Sequence, residues 1–489
     1  MSRREARDAL GILATSTISN IKQRHSNDVY IMQLPTAIQK QHPSVYGAVL
    51  LTILIPLYYE SWQHHSSHAP PSRAARPNST DFVADWLDVH LIEGFDPSAI
   101  EAYCNTTEWR PNLIFNLDIA NGGYGNVRIM ILDFLFAAIE AGASIMLPVM
   151  AARSKTDIAN LRDGHVPFDH FFDEAWFLSA MSSACPQMKI YKPDPDSPLG
   201  NAIPSSYHAP SRRLDVDSQN TRKAALAHLD AWLASQKPSY TPSSDTTSLT
   251  LVNLDCGLWE VDTRSLPPSF RRSFPQLLRL NPYIRRLAAL TVQNLALAYP
   301  RVSLDPRDQI PPKAFHGAHL RTEADALAAG WIGAEAPYSN YSAQTDAYIA
   351  HALAHKLHLM YVASGNASEL ERFTAKAAAH RPPLTVTTKL SLLPQTALEE
   401  LDTMSWDQQA LVDFEVLQRC SVFAGFVRSS FSFGLVLARA QRLSDEGRVV
   451  MDPIGVRHAD PGICWDDPVS RLVGRDGWHE LRIPRGQWP

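Results

Sequence analysis

At 489 residues the chain is longer than one compact core supports, and 45% apolar with 19% charged residues describe a folded protein rather than a disordered one. A formal charge of −5 leaves no basic footprint for nucleic acid. The five cysteines (Cys104, Cys185, Cys256, Cys420, Cys464) include no CxxC pair to support zinc, and in an oxidising compartment they allow at most two bridges of open connectivity.

Arg3, Arg4, Arg7, Lys22, Arg24 and Lys40 precede Val45 to Tyr59, VYGAVLLTILIPLYY, a run without charge. It is short for a span, which usually takes roughly 17–25 residues, and Pro56 weakens its end. The cationic flank predicts a cytosolic tail over 1–44 and a membrane anchor over 45–59. The rest is then lumenal, as in a single-pass type II protein of the Golgi or endoplasmic reticulum. A buried helix or strand of a soluble domain is the competing reading. Residues 60–80, rich in Ser, His, Pro and Arg, predict a stem linker. Glycosylation sequons at Asn78, Asn105, Asn340 and Asn366 all lie beyond the apolar run.

FVADWLDVHLIEGF predicts a short helical preface within 80–103. Asn112 to Ile119 reads as a strand, followed by the glycine loop NGGYGNVR. Arg128 to Ala143 is apolar all round and predicts a buried helix closed by Gly142. Ser144 to Val149 is a second strand. Pro193 to Ser248 reads as an insertion with a helix near Thr221 to Ser235. Leu249 to Asp255 resumes strand character, and Pro282 to Leu297 is an amphipathic helix. The pattern restarts near Arg301. Strands are predicted at Phe315–Leu320, His358–Ala363, Leu384–Thr388 and Val422–Phe426, and helices at Trp406–Arg419 and Phe431–Arg442. This alternation predicts two α/β domains, 81–300 on the acceptor side and 301–489 on the nucleotide-sugar side. They would face a cleft, with ligand at the carboxyl ends of the strands.

Three loops between strand and helix carry the chemistry. In FAGFVRSSFSFGLVLAR, Ser429, Ser430 and Ser432 sit where a helix leaves its first N–H groups unpaired, which favours an anion; simple helix capping is the plainer reading. In HGAHLRTEAD, His319 and Arg321 share one face of a strand end. A guanidinium there grips two phosphate oxygens and stabilises a departing diphosphate, unless it only bridges to Glu323 or Asp325. In NGGYGNVR, Gly122, Gly123 and Gly125 permit close approach of backbone to ligand, Asn126 and Arg128 offer donors, and a plain tight turn is the alternative.

These segments, in this order, resemble the protein O-fucosyltransferases and related GDP-fucose-dependent transferases. Gly122-Gly123-Tyr124-Gly125-Asn126-Val127 matches that family's G-x-x-G-N-x loop, and His319-Leu320-Arg321 its H-L-R. Asp413 with Ser429-Ser430-Phe431-Ser432 matches its aspartate-to-S-S-F-[ST] unit, and HVPFDHFFDEAWF resembles its F-D-x-x-F segment. The resemblance implies a two-domain GT-B-like fold and an inverting transfer of fucose from GDP-fucose to an acceptor hydroxyl. It implies that Arg321 stabilises the leaving group, that His319 and Asp413 contact the ribose or base side, and that Ser429, Ser430 and Phe431 hold phosphates and nucleotide. Asn126 would lie near sugar and acceptor. Arg321 and the serine-lined helix start would grip one pyrophosphate from opposite lobes. One branch of the family has a glutamate base where Gly123 stands; Asp118 and Glu323 are the nearby alternatives. A non-catalytic binder of sugar nucleotide or glycan, and a transferase acting on a small natural product, are the other readings.

No cofactor or obligatory metal is expected. Asp194-Pro195-Asp196 and Asp215-Val216-Asp217 have DxD shape but lie away from any strand end. His351, His355 and His358 are spaced for one helix, where a partly exposed face is the reading favoured over a metal site.

Overall fold

The computed structural model describes residues 81–89, 95–154, 157–193, 205–207, 218–235, 249–254, 266–333, 336–445, 460, 462–474 and 488. The expected tail, anchor and stem, Asn78, Cys256 and both DxD-shaped segments lie outside these residues. Among the described residues no helix is long and apolar enough to cross a membrane.

Two parallel sheets organise the rest. The first is built from β1 (Leu113–Leu117), β2 (Ser144–Met146), β5 (Ile190–Tyr191), β6 (Ser205–Tyr207) and β7 (Thr250–Leu254), in the order β5-β2-β1-β7-β6. A small antiparallel pair, β3 (Met150–Ala151) with β4 (His165–Val166), stands beside it. The second sheet contains β8 (His316–His319), β9 (Leu359–Ala363), β10 (Thr385–Thr387), β11 (Val422–Phe426), β12 (Ile463–Asp466) and β13 (Ser470–Val473). Its order is β10-β9-β8-β11-β13-β12, parallel except at the β12–β13 edge. Strand order reverses beside β1 in the first sheet and between β8 and β11 in the second. Open α/β sheets bind ligands at such switch points, outside the carboxyl ends of the strands. The three signature loops follow β1, β8 and β11.

The principal helices are α1 (Phe82–Asp88), α2 (Tyr124–Ala141), α3 (Glu174–Ala184), α4 (Pro282–Ala298), α5 (Tyr341–Ala354), α6 (Trp406–Gln418) and α7 (Ser430–Asp445). Buried on nearly every side, α2 ends as predicted at Gly142, whose φ of 66° a side chain would strain. It begins four residues earlier than predicted, because Gly123 is its N-cap and Tyr124 to Val127 form its first turn. Helix α4 packs on α1 and on α6 of the second half, and α7 packs on α2, so the two halves share an extensive helical seam. At that seam Gln408 donates to the His170 carbonyl at 2.8 Å, and Arg419 lies over the Trp86 ring at 3.3 Å. Trp488 is buried against Phe136 and Phe274, donates to Asp133 at 2.8 Å, and accepts from Arg128 through its carbonyl at 3.0 Å.

Of the cysteines, Cys104 and Cys185 are bridged across 81 residues of sequence, and Cys420 and Cys464 are free. Closing a loop of that length is worth about 4–5 kcal/mol by chain entropy. The histidine expectation is corrected. Helix α5 ends at Ala354, His355 is its C-cap, Lys356 turns the chain at a φ of 58°, and His358 precedes β9. His351 is buried, with Nδ1 3.1 Å from His316 Nε2, and is no part of an exposed face. Among the described residues no group of three side chains is placed to hold a metal. The β12–β13 pair went unpredicted because Asp466-Asp467-Pro468 interrupts its apolar pattern.

Candidate functional site

The second sheet supplies polar side chains. β8 ends at His319, and Gln344 of α5 clamps the backbone of Arg321 through both its N–H and its carbonyl, each at 3.0 Å. His319 is buried with Nδ1 2.8 Å from Ser432 Oγ, which itself accepts the Phe426 N–H at 3.2 Å. The Ser432 hydroxyl and the imidazole therefore hold each other in place, with the donor set by the ring's tautomer. Burial pushes the His319 pKa down to about 4, so the ring is neutral near pH 7. Its face tilts against Phe431 at 4.5 Å, and Phe431 meets Phe414 edge-on at 5.0 Å.

Arg321 is held by Asp325 through two bonds of 2.9 and 2.7 Å, and by Glu323. Burial works against its charge, but Glu323 and then Asp325 outweigh it and hold the guanidinium firmly protonated. Burial likewise opposes ionisation of Asp325, and the Arg321 bond overcomes it, leaving that carboxyl below its usual range. Glu323 accepts the Gly365 N–H with its other oxygen at 2.7 Å. The salt-bridge reading of Arg321 is thus met, though in a largely enclosed setting and not on the surface. Among the described residues three of its five N–H groups are engaged, and Nε–H with one Nη2–H remain.

The first sheet supplies backbone. Gly122 adopts a φ of 101°, and Gly123 starts α2 with no side chain capping it. A Cβ on Gly125 would lie 2.6 Å from the carbonyl carbon of Ser430, so glycine there lets the start of α2 touch the start of α7. Two helix N-termini, each with unpaired N–H groups and a partial positive charge, converge at this contact. Ser429 opens α7, with its carbonyl accepting from Phe433 at 3.0 Å.

Other expectations fall elsewhere. Arg321 and the serine-lined start of α7 do not come from opposite lobes; they follow adjacent strands of one sheet. Asp413 is buried in α6, accepting from Tyr361 at 2.6 Å and paired with Lys389, so the structure does not bring it against His319 or Arg321. Arg128 lies one turn into α2. It faces a cavity of about 120 Å³ shared with Arg279, Arg285 and Glu415 rather than the loop. Asn340 and Asn366 are helix N-caps, accepting from Ala343 and Glu369, and Asn366 also donates to the Thr322 carbonyl at 3.2 Å. Asn105 is exposed and accepts from Gln187.

Sequence reasoning missed Arg153 and Asp407. Arg153 follows β3 and crosses to α6, where its Nε lies 3.1 and 3.2 Å from the two oxygens of Asp407, with Trp406 5.0 Å away. Burial raises the Asp407 pKa against the pull of Arg153. Arg153 stands in no motif; its place just after the short strand β3 was the only available signal. Two guanidiniums (Arg153, Arg321) thus face three carboxylates (Glu323, Asp325, Asp407). Attraction for an anion therefore depends on the two helix starts and on the uncommitted guanidinium hydrogens, not on side-chain charge alone.

No curated protein matches the chain. A crystal structure of POFUT1 in complex with GDP has 12% identity and a TM-score of 0.40, with 68% of this chain and 96% of that one covered. POFUT1 in complex with GDP-fucose gives 12% and 0.41 over the same shares. NodZ alpha-1,6-fucosyltransferase soaked with GDP-fucose gives 12% and 0.33, covering 68% and 92%. The family model described as GDP-fucose protein O-fucosyltransferase matches residues 113–441, the span that holds both sheets' switch-point loops, and the chain belongs to that family.

Proposed function

We propose that this protein is a GT-B-like inverting glycosyltransferase that moves fucose from GDP-fucose to a hydroxyl of an acceptor. The observation that carries the reading is the meeting of the α2 and α7 N-termini beside His319 and Arg321, at the switch points of both sheets. A diphosphate at this place meets N–H groups from two helices and the free hydrogens of Arg321. As the bond between anomeric carbon and phosphate oxygen breaks, the electron pair stays on GDP, and Arg321 neutralises the charge that grows there. Neutral His319, fixed by Ser432, presents a polar ring edge rather than a second charge.

Both oxygens of Glu323 are bonded, whereas Asp118 is exposed at the carboxyl end of β1, so the Asp118 carboxylate is the base we assign to take the acceptor proton. We further propose that 45–59 anchors the chain in a secretory membrane with the sheets lumenal. The Cys104–Cys185 bridge supports an oxidising compartment. Full-length protein offered GDP-fucose, GDP-mannose and GDP alone, with free GDP and acceptor mass as readouts, tests the reading. Release of GDP only from GDP-fucose supports it, and release from none of the donors rejects it.

A further inference from the structure

Arg153 has a geometry that its salt bridge alone does not explain. Its Nε is shared by the Asp407 oxygens, its Nη1 donates to the Ile158 carbonyl, and Trp406 flanks it. Arg153 and Asp407 expose only 8% and 7% of their side chains, so the guanidinium is fixed in place. Its Nη2 makes no hydrogen bond to the described residues. That nitrogen sits 3.7 Å from the point a Cβ on Gly123 would occupy, over the uncapped start of α2. The charge of Arg153 is also felt by Asp325, the carboxylate that grips Arg321. A fixed donor, an open helix start and a missing side chain therefore coincide, on the first-half side of the same crevice.

We propose that Arg153 is a second diphosphate-contacting guanidinium, taking with the first N–H groups of α2 the phosphate oxygens that face away from Arg321. The absent side chain at Gly123 keeps that approach open, and Asp407 is a positioning residue that aims Nη2. The assignment rests on the GDP-sugar reading above.

Titrations of full-length protein with GDP, GMP and guanosine test it. Arg153→Ala should weaken GDP about 10- to 100-fold while guanosine affinity moves less than about threefold. Arg153→Lys should recover only part, because an ammonium brings charge without the planar fork. Gly123→Val keeps Arg153 and an ordinary backbone φ, and should weaken GDP with the melting temperature unchanged. Asp407→Asn should give an intermediate loss. If Arg153→Ala binds GDP like wild type while Arg321→Ala does not, Arg153 is only a tie between the halves and the assignment is wrong. Wild-type protein that takes no GDP at all overturns the donor reading, and this one with it.

Discussion

The second sheet meets the crevice with an imidazole, a guanidinium and a hydroxyl, each fixed by a neighbour: Ser432 on His319, Gln344 and Asp325 on Arg321. The first sheet meets it with peptide groups at a glycine-rich helix start. Its charged contribution, Arg153, arrives from a different loop. On the proposed function, one edge acts with side chains and tolerates ordinary packing around them. The other acts with backbone, and so depends on side chains being missing.

The largest effect should come from the side-chain edge. Arg321→Ala is expected to lower the transfer rate by about 10²–10³-fold, as loss of one charge-stabilising donor does elsewhere; Asp325→Asn, assayed beside it, separates the lost guanidinium from its stranded partners. Asp118→Asn should lower kcat by about 10²-fold with little change in KM, and an unchanged kcat would leave proton removal to water or the acceptor. On the backbone edge, Gly125→Ala drives a methyl into Ser430. Overpacking of that kind costs about 1–3 kcal/mol, visible as a fall in melting temperature together with weakened GDP binding.

Acid should weaken the side-chain half first. The unfolded chain protonates its imidazoles near pH 6.5, whereas folded His319 waits until about 4 and His351 until about 3, both because burial disfavours the charged ring. More protons are then bound by the unfolded state between pH 6.5 and 4, so stability falls as pH falls through that window, by up to about 1.4 kcal/mol per unit for each ring. Urea melts at pH 7, 6 and 5 read this slope, and a flat profile contradicts it. The smallest effect is expected from Asn366→Ala, which removes a cap from helix Ala367–Ala379 and should cost about 1 kcal/mol with GDP affinity intact.

Legibility in the sequence followed the same division. Strand Val422–Phe426 was predicted to the residue, and β1, β7 and β9 within one or two positions, because parallel strands covered on both faces read as short apolar runs. His319, Arg321 and Ser432 were legible because their chemistry is in their side chains. The partners of Asp413, Lys389 and Tyr361, were not legible because they lie 24 and 52 positions away and form no motif with it. Arg128 was misplaced because the loop was read as ending where α2 has already completed a turn. Arg153 was invisible because its partner, Asp407, lies 254 positions away on another sheet's helix.

Trp488 joins two segments of the chain that are far apart in sequence. The aromatic socket of Phe136, Phe270 and Phe274 belongs to the first half, yet its plug is bonded to Asp133 from 355 positions downstream. Packing of the first half's aromatic core is therefore completed by a residue remote in sequence, so a change at this socket is felt by segments that no local motif connects.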